Sequence, residues 1–223
     1  TAYKAASSHT MYRSVSSYHG GISLASGTGL DYNGIEPSFY ASGGTFMELT
    51  RYASPLGTIF LAADNGALAG LWLEGQKYYA AQIKKEECRH EEAPVLKETK
   101  RWLDIYFQGK EPDFMPALHP VGTEFQSAVW EILRRIPYGR TITYGEIAGQ
   151  LAAQRDVKKM SAQAVGGAVG HNKISIIIPC HRVVGSNGSL TGYAGGIDKK
   201  IALLKLEKTD MTGFFVPKEG TAL

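Results

Sequence analysis

The stretch Ile176-Ile177-Ile178-Pro179-Cys180-His181-Arg182-Val183-Val184 constrains this chain more than any other. Three consecutive isoleucines have no amphipathic reading, so they belong inside a core and read as a buried strand. Pro179 ends that strand, because it brings no N–H to a ladder. Cys180, His181 and Arg182 follow at once, which puts a thiol at the rim of the core with an imidazole and a guanidinium beside it. A thiol attacks as thiolate, and a neighbouring base or cation makes that form easier to reach. The same tripeptide also suits a buried structural cysteine followed by a solvated His-Arg pair, since free cysteine is usually buried. On these residues alone both readings stand.

The rest of the chain divides by its punctuation. Residues 1–45 are rich in Ser, Gly, Tyr, Thr and Ala without a sustained period, and read as an irregular extension or tail. An alternating pattern over 46–52, a turn at Ser54-Pro55-Leu56-Gly57, a second strand over 58–62, the tight turn Asp64-Asn65-Gly66 and a third strand over 67–73 predict a small antiparallel sheet. A helix is predicted from about 92 to 108, with Val95, Thr99, Trp102, Leu103 and Tyr106 on one face and Gly109 at its end. Three prolines between 112 and 120 read as a linker, giving an N-terminal α/β domain over 46–115.

Beyond the linker the punctuation is helical. Phe125, Val129, Trp130, Leu133 and Ile136 form an apolar stripe halted by Pro137-Tyr138-Gly139. Thr143 and Glu146 have capping-box spacing and open a helix striped by Tyr144, Ile147, Ala148, Leu151 and Ala152. A polar turn leads to Ser161, which caps a helix of small residues from 162 to 169. Two helices so joined make a helix-turn-helix, whose second member enters a nucleic-acid groove. Gly166 and Gly167 each cost that helix about 1 kcal/mol relative to Ala. Such a cost suits a close approach by another surface, either DNA or the adjacent strand. A Gly/Ser loop over 185–196 precedes a last helix striped by Ile197, Ile201 and Leu204, with Glu207 in its final turn. The fold class is thus α/β in the α+β sense. A small N-terminal sheet-plus-helix domain precedes a mostly helical domain over 116–209 that carries the helix-turn-helix, and 210–223 form a tail.

Charge agrees with that division. Residues 120–208 hold twelve Lys and Arg against six Asp and Glu, a balance of +6 within a chain of net +3, so the remainder carries −3. Such asymmetry gives the C-terminal half a polyanion-attracting surface. No apolar run approaches the roughly 20 residues of a membrane span, and the first residues lack a secretory pattern. With two cysteines, Cys88 and Cys180, a disulfide framework is not indicated and a cytoplasmic setting is the simpler expectation.

Taken together these elements resemble the O6-alkylguanine-DNA alkyltransferase family. The resemblance runs from about Val121 to Glu207. It is carried by Gly122-Thr123-Glu124-Phe125-Gln126, Val129-Trp130, Ile136-Pro137-Tyr138-Gly139, Thr143-Tyr144-Gly145-Glu146-Ile147-Ala148 and Ala164-Val165-Gly166-Gly167-Ala168. It continues through His171-Asn172, Pro179-Cys180-His181-Arg182-Val183-Val184, Gly192-Tyr193-Ala194-Gly195-Gly196 and Lys200. The resemblance implies single-turnover transfer of the alkyl group from O6-alkylguanine, and in some members O4-alkylthymine, to a cysteine. It implies Cys180 as nucleophile, His181 as a base acting through water, Glu207 as the group orienting that imidazole, Asn172 as a hydrogen-bonding prop, and Tyr144 as the residue that presses on the target nucleotide. Tyr193, the Val183 carbonyl, Ala194, Gly195 and Arg182 are implied around the base. Ser161, Ala162, Gln163, Ala164, Gly166 and Gly167 are implied on the DNA-binding helix. Double-stranded DNA bearing alkylated bases is the implied partner of a monomer that needs no cofactor and no membrane.

Two departures stand out. Gln163 occupies the position where the family usually has an arginine that fills the gap left by a flipped base, so weaker DNA binding or slower repair is expected. Lys173 stands where proline often follows the asparagine. Of the Cys and His ligands used by zinc-binding members, only Cys88 and His90 are available, so no metal is expected, and Cys88 is expected to be an inert free thiol. A non-catalytic lesion-binding protein of the alkyltransferase-like kind would lack the cysteine that is present here. A Cys-His-Glu hydrolase would place its His far from the nucleophile in sequence and leave the basic half without a use.

Overall fold

The computed structural model describes residues 47–78, the backbone of 88–89, and residues 93–218. The extension over 1–45, His90 and the last five residues fall outside the described residues, as does the side chain of Cys88.

Alternation and turn chemistry build the sheet. β1 (Met47–Ser54) and β2 (Gly57–Asp64) form an antiparallel hairpin, closed where Ser54 Oγ donates to the Gly57 carbonyl at 2.6 Å. Asn65 and Gly66 both take positive φ, 50° and 76°, as a two-residue hairpin turn demands, and β3 (Ala67–Leu73) returns along β2. The short β4 (Cys88–Arg89) runs parallel to β1, so the strand order is β3-β2-β1-β4. Helix α1 (Pro94–Phe107) begins with proline, which suits a first-turn position with no N–H to satisfy. It buries Val95, Leu96, Thr99, Trp102, Leu103 and Tyr106 toward the sheet.

Helix α2 (Glu124–Arg134) opens on a capping box between Thr123 and Gln126, and α3 (Tyr144–Gln154) on one between Thr143 and Glu146. Ser161 caps α4 (Ala162–Gly170) by accepting from the Ala164 N–H. Helices α3 and α4 pack together as expected, although seven residues join them. Helix-turn-helix units usually have only three or four. The Trp130 indole donates to the Ala168 carbonyl at 3.0 Å and ties α2 to α4. Helix α5 (Ile197–Leu206) closes the fold, with Glu207 as its C-cap. Among the described residues, no helix is long and apolar enough to cross a membrane.

One expectation needs correction. Residues Ile176, Ile177 and Ile178 are buried as foreseen, at 1%, 4% and 0% exposure, but they do not form a strand. Ile176 sits at φ 70°, and the Ile177 and Ile178 N–H groups turn back to the Ser175 and Ile174 carbonyls. Hydrophobicity reports burial and says nothing of backbone path, so a buried coil and a buried strand look alike in sequence. What does pair with the sheet is the residue run just before. The Leu71 N–H donates to the Lys173 carbonyl, and the Ser175 N–H donates to the Leu71 carbonyl, both at 2.9 Å. β3 therefore anchors the backbone that leads to Cys180. A second correction concerns charge. Arg182, Lys200 and Glu207 are buried, so the surface of 120–208 shows ten basic side chains to five acidic ones. The excess survives, somewhat smaller.

Candidate active site

Cys180, His181 and Arg182 form one turn of 3₁₀-helix that runs directly into β6 (Val183–Val184). β6 pairs in parallel with β5 (Ile142–Thr143), the lead-in to α3. The reactive turn and the helix-turn-helix are thus welded through Val183 and Ile142.

The sulfur is buried, with Cys180 only 3% exposed. Asn172 Nδ2 donates to it at 3.1 Å and to the Ile178 carbonyl at 2.7 Å, while Asn172 Oδ1 accepts from the Ile174 N–H at 3.0 Å. Burial pushes the Cys180 thiol up; the bond from Asn172, the charge of Lys200 and the Ser175 hydroxyl pull the other way. The group therefore rests as a thiol and needs a base to become a nucleophile. Ser175 is buried as well, and its hydroxyl donates to Gln76 Oε1 at 2.9 Å, joining the β3 exit to the neighbourhood of the sulfur.

His181, the adjacent base, is fully buried, and its Nε2 lies 2.7 Å from Glu207 Oε1. Burial alone would raise the Glu207 pKa, but the bonds and charges of His181 and Arg182 outweigh it and hold the carboxylate well below its usual range. An ionised carboxylate only accepts, so Nε2 carries the proton and the lone pair is on Nδ1. That Nδ1 atom has no hydrogen-bond partner among the described residues. Burial lowers the His181 pKa, opposed by Glu207 and reinforced by Arg182 and Lys200, so the ring rests neutral and able to accept a proton.

Glu207 is held from every side. Arg182 Nε and Nη2 grip its two oxygens at 2.8 and 2.9 Å, the Tyr106 hydroxyl donates to Oε1 at 2.7 Å, and the Gly139 N–H reaches Oε2 at 3.2 Å. Gly139 stands at φ 70°, and a Cβ there would meet the Glu207 carbonyl at 2.8 Å, so the Pro137-Tyr138-Gly139 turn needs glycine to reach the carboxylate. Arg182 was expected near the substrate base. The structure instead occupies its Nε and Nη2 with Glu207 and its Nη1 with the Ile136 carbonyl at 2.6 Å. Its place is behind the imidazole.

Tyr193 is buried, with its hydroxyl unpartnered among the described residues and its ring edge-on to His181 at 6.4 Å. Tyr144 donates to the Thr191 and Gly192 carbonyls at 3.3 and 3.2 Å, and its ring lies 3.8 Å from where a Cβ on Gly166 would be. Burial raises the phenol pKa of both tyrosines, and ionisation of Cys180 raises it further, which keeps them protonated donors. The Val183 carbonyl accepts from Lys200 Nζ at 2.6 Å. The Ala194 carbonyl accepts from the Lys77 N–H at 2.9 Å, and Gly195 leaves room for Tyr193 and Leu73, each 2.8 Å from the site of an added Cβ.

Ser161, Ala162, Gln163 and Ala164 are exposed on the first turn of α4. A Cβ at Gly167 would meet nothing within 4 Å, so no packing contact among the described residues requires glycine there. A groove of about 950 Å³ between α3 and the turn before α4 carries Lys158, Lys159 and Ser161 along its edge.

Several buried groups at the site, Lys200, Tyr106, Ser175 and Gln76 among them, had no role assigned from the sequence. Lys200 is fully buried, donates to the Val183 and Thr191 carbonyls at 2.6 and 2.7 Å, and is pushed down to about 8 by burial, against the opposing pull of Cys180. Its spacing from Ile197 and Leu204, three and four residues, already put it on the apolar stripe of α5. Tyr106 was legible as core, but its partner 101 residues away was not.

Comparison with known proteins agrees in both halves. The family model described as 6-O-methylguanine DNA methyltransferase, DNA binding domain, matches residues 124–209, and its ribonuclease-like domain counterpart matches 47–119. A methylated-DNA–protein-cysteine methyltransferase of Methanosarcina acetivorans is 44% identical over 162 residues, which is 72% of this chain and 98% of that protein. One from Mycobacterium leprae is 42% identical over 155 residues, covering 70% and 88%. The crystal structure of Mycobacterium tuberculosis OGT in complex with DNA gives a TM-score of 0.62 at 41% identity, covering 72% of this chain and 92% of that one.

Proposed function

The chain belongs to the 6-O-methylguanine DNA methyltransferase family, and on that footing we propose that it repairs DNA by moving an alkyl group irreversibly from guanine O6 to Cys180. The observation that carries this is a buried thiol beside a neutral imidazole whose lone pair is on Nδ1 while Glu207 fixes the other nitrogen.

Guanine O6 lies inside the base stack, so the nucleotide must be rotated out, at a cost of a few kcal/mol. Exposed cations on the C-terminal half supply sequence-independent affinity for the phosphates. The first turn of α4, with Ser161, Ala162, Gln163 and Ala164, and the bare backbone at Gly166 and Gly167 lie against the DNA, and Tyr144 presses on the target nucleotide. His181 takes the thiol proton through a water molecule. The sulfur then attacks the alkyl carbon in line, the S–C bond forms as the C–O6 bond breaks, and the bonding pair leaves with the guanine. The Tyr193 hydroxyl donates to the departing base, and the loop at Val183, Ala194 and Gly195 lines its pocket. The thioether is stable, so each molecule acts once. The protein acts as a monomer in the cytoplasm.

Titrating O6-methylguanine duplex with increasing protein tests this reading. The expected end point is one lesion removed per molecule and none by Cys180→Ala; several lesions per molecule would identify a turnover enzyme, and binding without removal a lesion sensor.

A further inference from the structure

We infer that Tyr106 is a positioning residue of the transfer reaction, supplied by α1 from the sheet-bearing half of the fold, whose hydroxyl tunes the hold of Glu207 on His181. The inference rests on the reading of Cys180 as alkyl acceptor and His181 as its base.

Tyr106 has no solvent exposure, and its hydroxyl donates to Glu207 Oε1 at 2.7 Å. The same oxygen accepts from His181 Nε2 at 2.7 Å and Arg182 Nη2 at 2.9 Å. The hydroxyl and the imidazole nitrogen are 3.4 Å apart, two donors converging on one acceptor. Counting Oε2, the carboxylate accepts five donors, which saturates its roughly four lone-pair sites. Under saturation each donor weakens its neighbours. The Tyr106 hydroxyl therefore draws charge from the oxygen that orients the imidazole and holds His181 less basic than an unshared carboxylate would.

The placement is specific to the hydroxyl. Trp102 stacks on the ring at 5.2 Å, and Phe107 and Tyr138 meet it edge-on at 5.5 and 6.1 Å, so phenylalanine would fill the same space. Burial and the Glu207 charge keep the phenol protonated, and it remains a donor throughout the working range. Tyr106 lies in the segment matched by the ribonuclease-like domain, while Cys180, His181 and Glu207 lie in the DNA-binding one. One hydroxyl thus carries the first segment into the chemistry of the second.

The test is the pH dependence of single-turnover methyl transfer from an O6-methylguanine duplex, with the His181 imidazole titrated separately by NMR. Tyr106→Phe is expected to move the acid-limb midpoint and the His181 titration up by about one unit, because one donor to a charged acceptor is lost. A site-specifically fluorinated tyrosine at position 106, a stronger donor, is expected to move both down. A melting temperature close to wild type shows that the ring still packs. Rate loss with neither midpoint displaced in either variant would reduce Tyr106 to a core residue and overturn the inference alone. A wild-type protein that takes up no methyl group would remove the underlying reading, and this inference with it.

Discussion

Asn172 Nδ2 lies 3.1 Å from Cys180 Sγ while the same side chain ties down the Ile178 carbonyl and the Ile174 N–H, so one amide both shapes the turn and gives the sulfur a donor. Asn172→Ala leaves the buried Ile174 N–H unpaired, takes one of two donors from the Ile178 carbonyl, which keeps the Cys180 N–H, and removes the amide donor from the sulfur. A stability loss of about 2 kcal/mol in urea unfolding is expected. Methyl transfer should slow at least about tenfold, since a lost donor to a charged sulfur is worth over one kcal/mol. Unchanged transfer in a protein destabilised by that much would confine Asn172 to holding the turn.

Glu207 governs acid stability. Its folded pKa is depressed below the ordinary value of 4.5, so the stability it contributes is complete above about 4.5 and drains away as pH falls toward the folded value. Glu207→Gln should flatten that slope in unfolding curves taken across the acid range. At neutral pH it should cost about 3 kcal/mol, because Arg182 loses its buried counter-charge. An acid slope equal to wild type would place the acid sensitivity in other carboxylates.

Lys200 has the opposite sign. Burial lowers it from 10.5 to about 8, so between those values the unfolded chain binds more protons than the folded one, and stability rises with pH. Below about 8 the full penalty of a buried charge applies. Lys200→Met should lose the alkaline gain, and it also strips donors from the Val183 and Thr191 carbonyls, which separates the β6 turn from the pocket loop. The difference in unfolding free energy between wild type and variant, plotted against pH, isolates the effect; a flat difference would contradict it.

Gln163 stands exposed on the first turn of α4, the turn proposed above to lie against the DNA. Replacing a neutral donor with a charged one is worth about 1 kcal/mol, so Gln163→Arg should tighten duplex binding five- to tenfold. Fluorescence anisotropy at fixed salt reads the change. Equal affinities would mean that the glutamine already meets the needs of the gap.

Much of this was legible because local signals and tertiary roles coincided. The capping boxes at Thr123 and Thr143, the Asn65-Gly66 turn and the small-residue helix after Ser161 are satisfied by near neighbours, so spacing alone locates them. The adjacency of Cys180 and His181 is likewise written in the chain. Sequence gave no access to contacts made across long separations. Tyr106, Gln76 and Gly139 reach the site from elsewhere in the chain, and nothing in their own neighbourhoods distinguishes them from an ordinary core tyrosine, a turn glutamine and a turn glycine. Ile176 misled because a triple isoleucine signals burial and not backbone path, and it stands at positive φ just after the run in which Lys173 and Ser175 pair with Leu71. Arg182 and Lys200 misled because a basic side chain is ordinarily solvated, and each is buried here by partners that only the fold supplies.

The most direct measurement is peptide mass spectrometry after incubation with a duplex containing O6-methylguanine. One added methyl group is expected on the peptide bearing Cys180, with the other cysteine peptide unmodified and unmodified guanine restored in the DNA. A lesion that disappears while Cys180 keeps its original mass would contradict transfer to that sulfur.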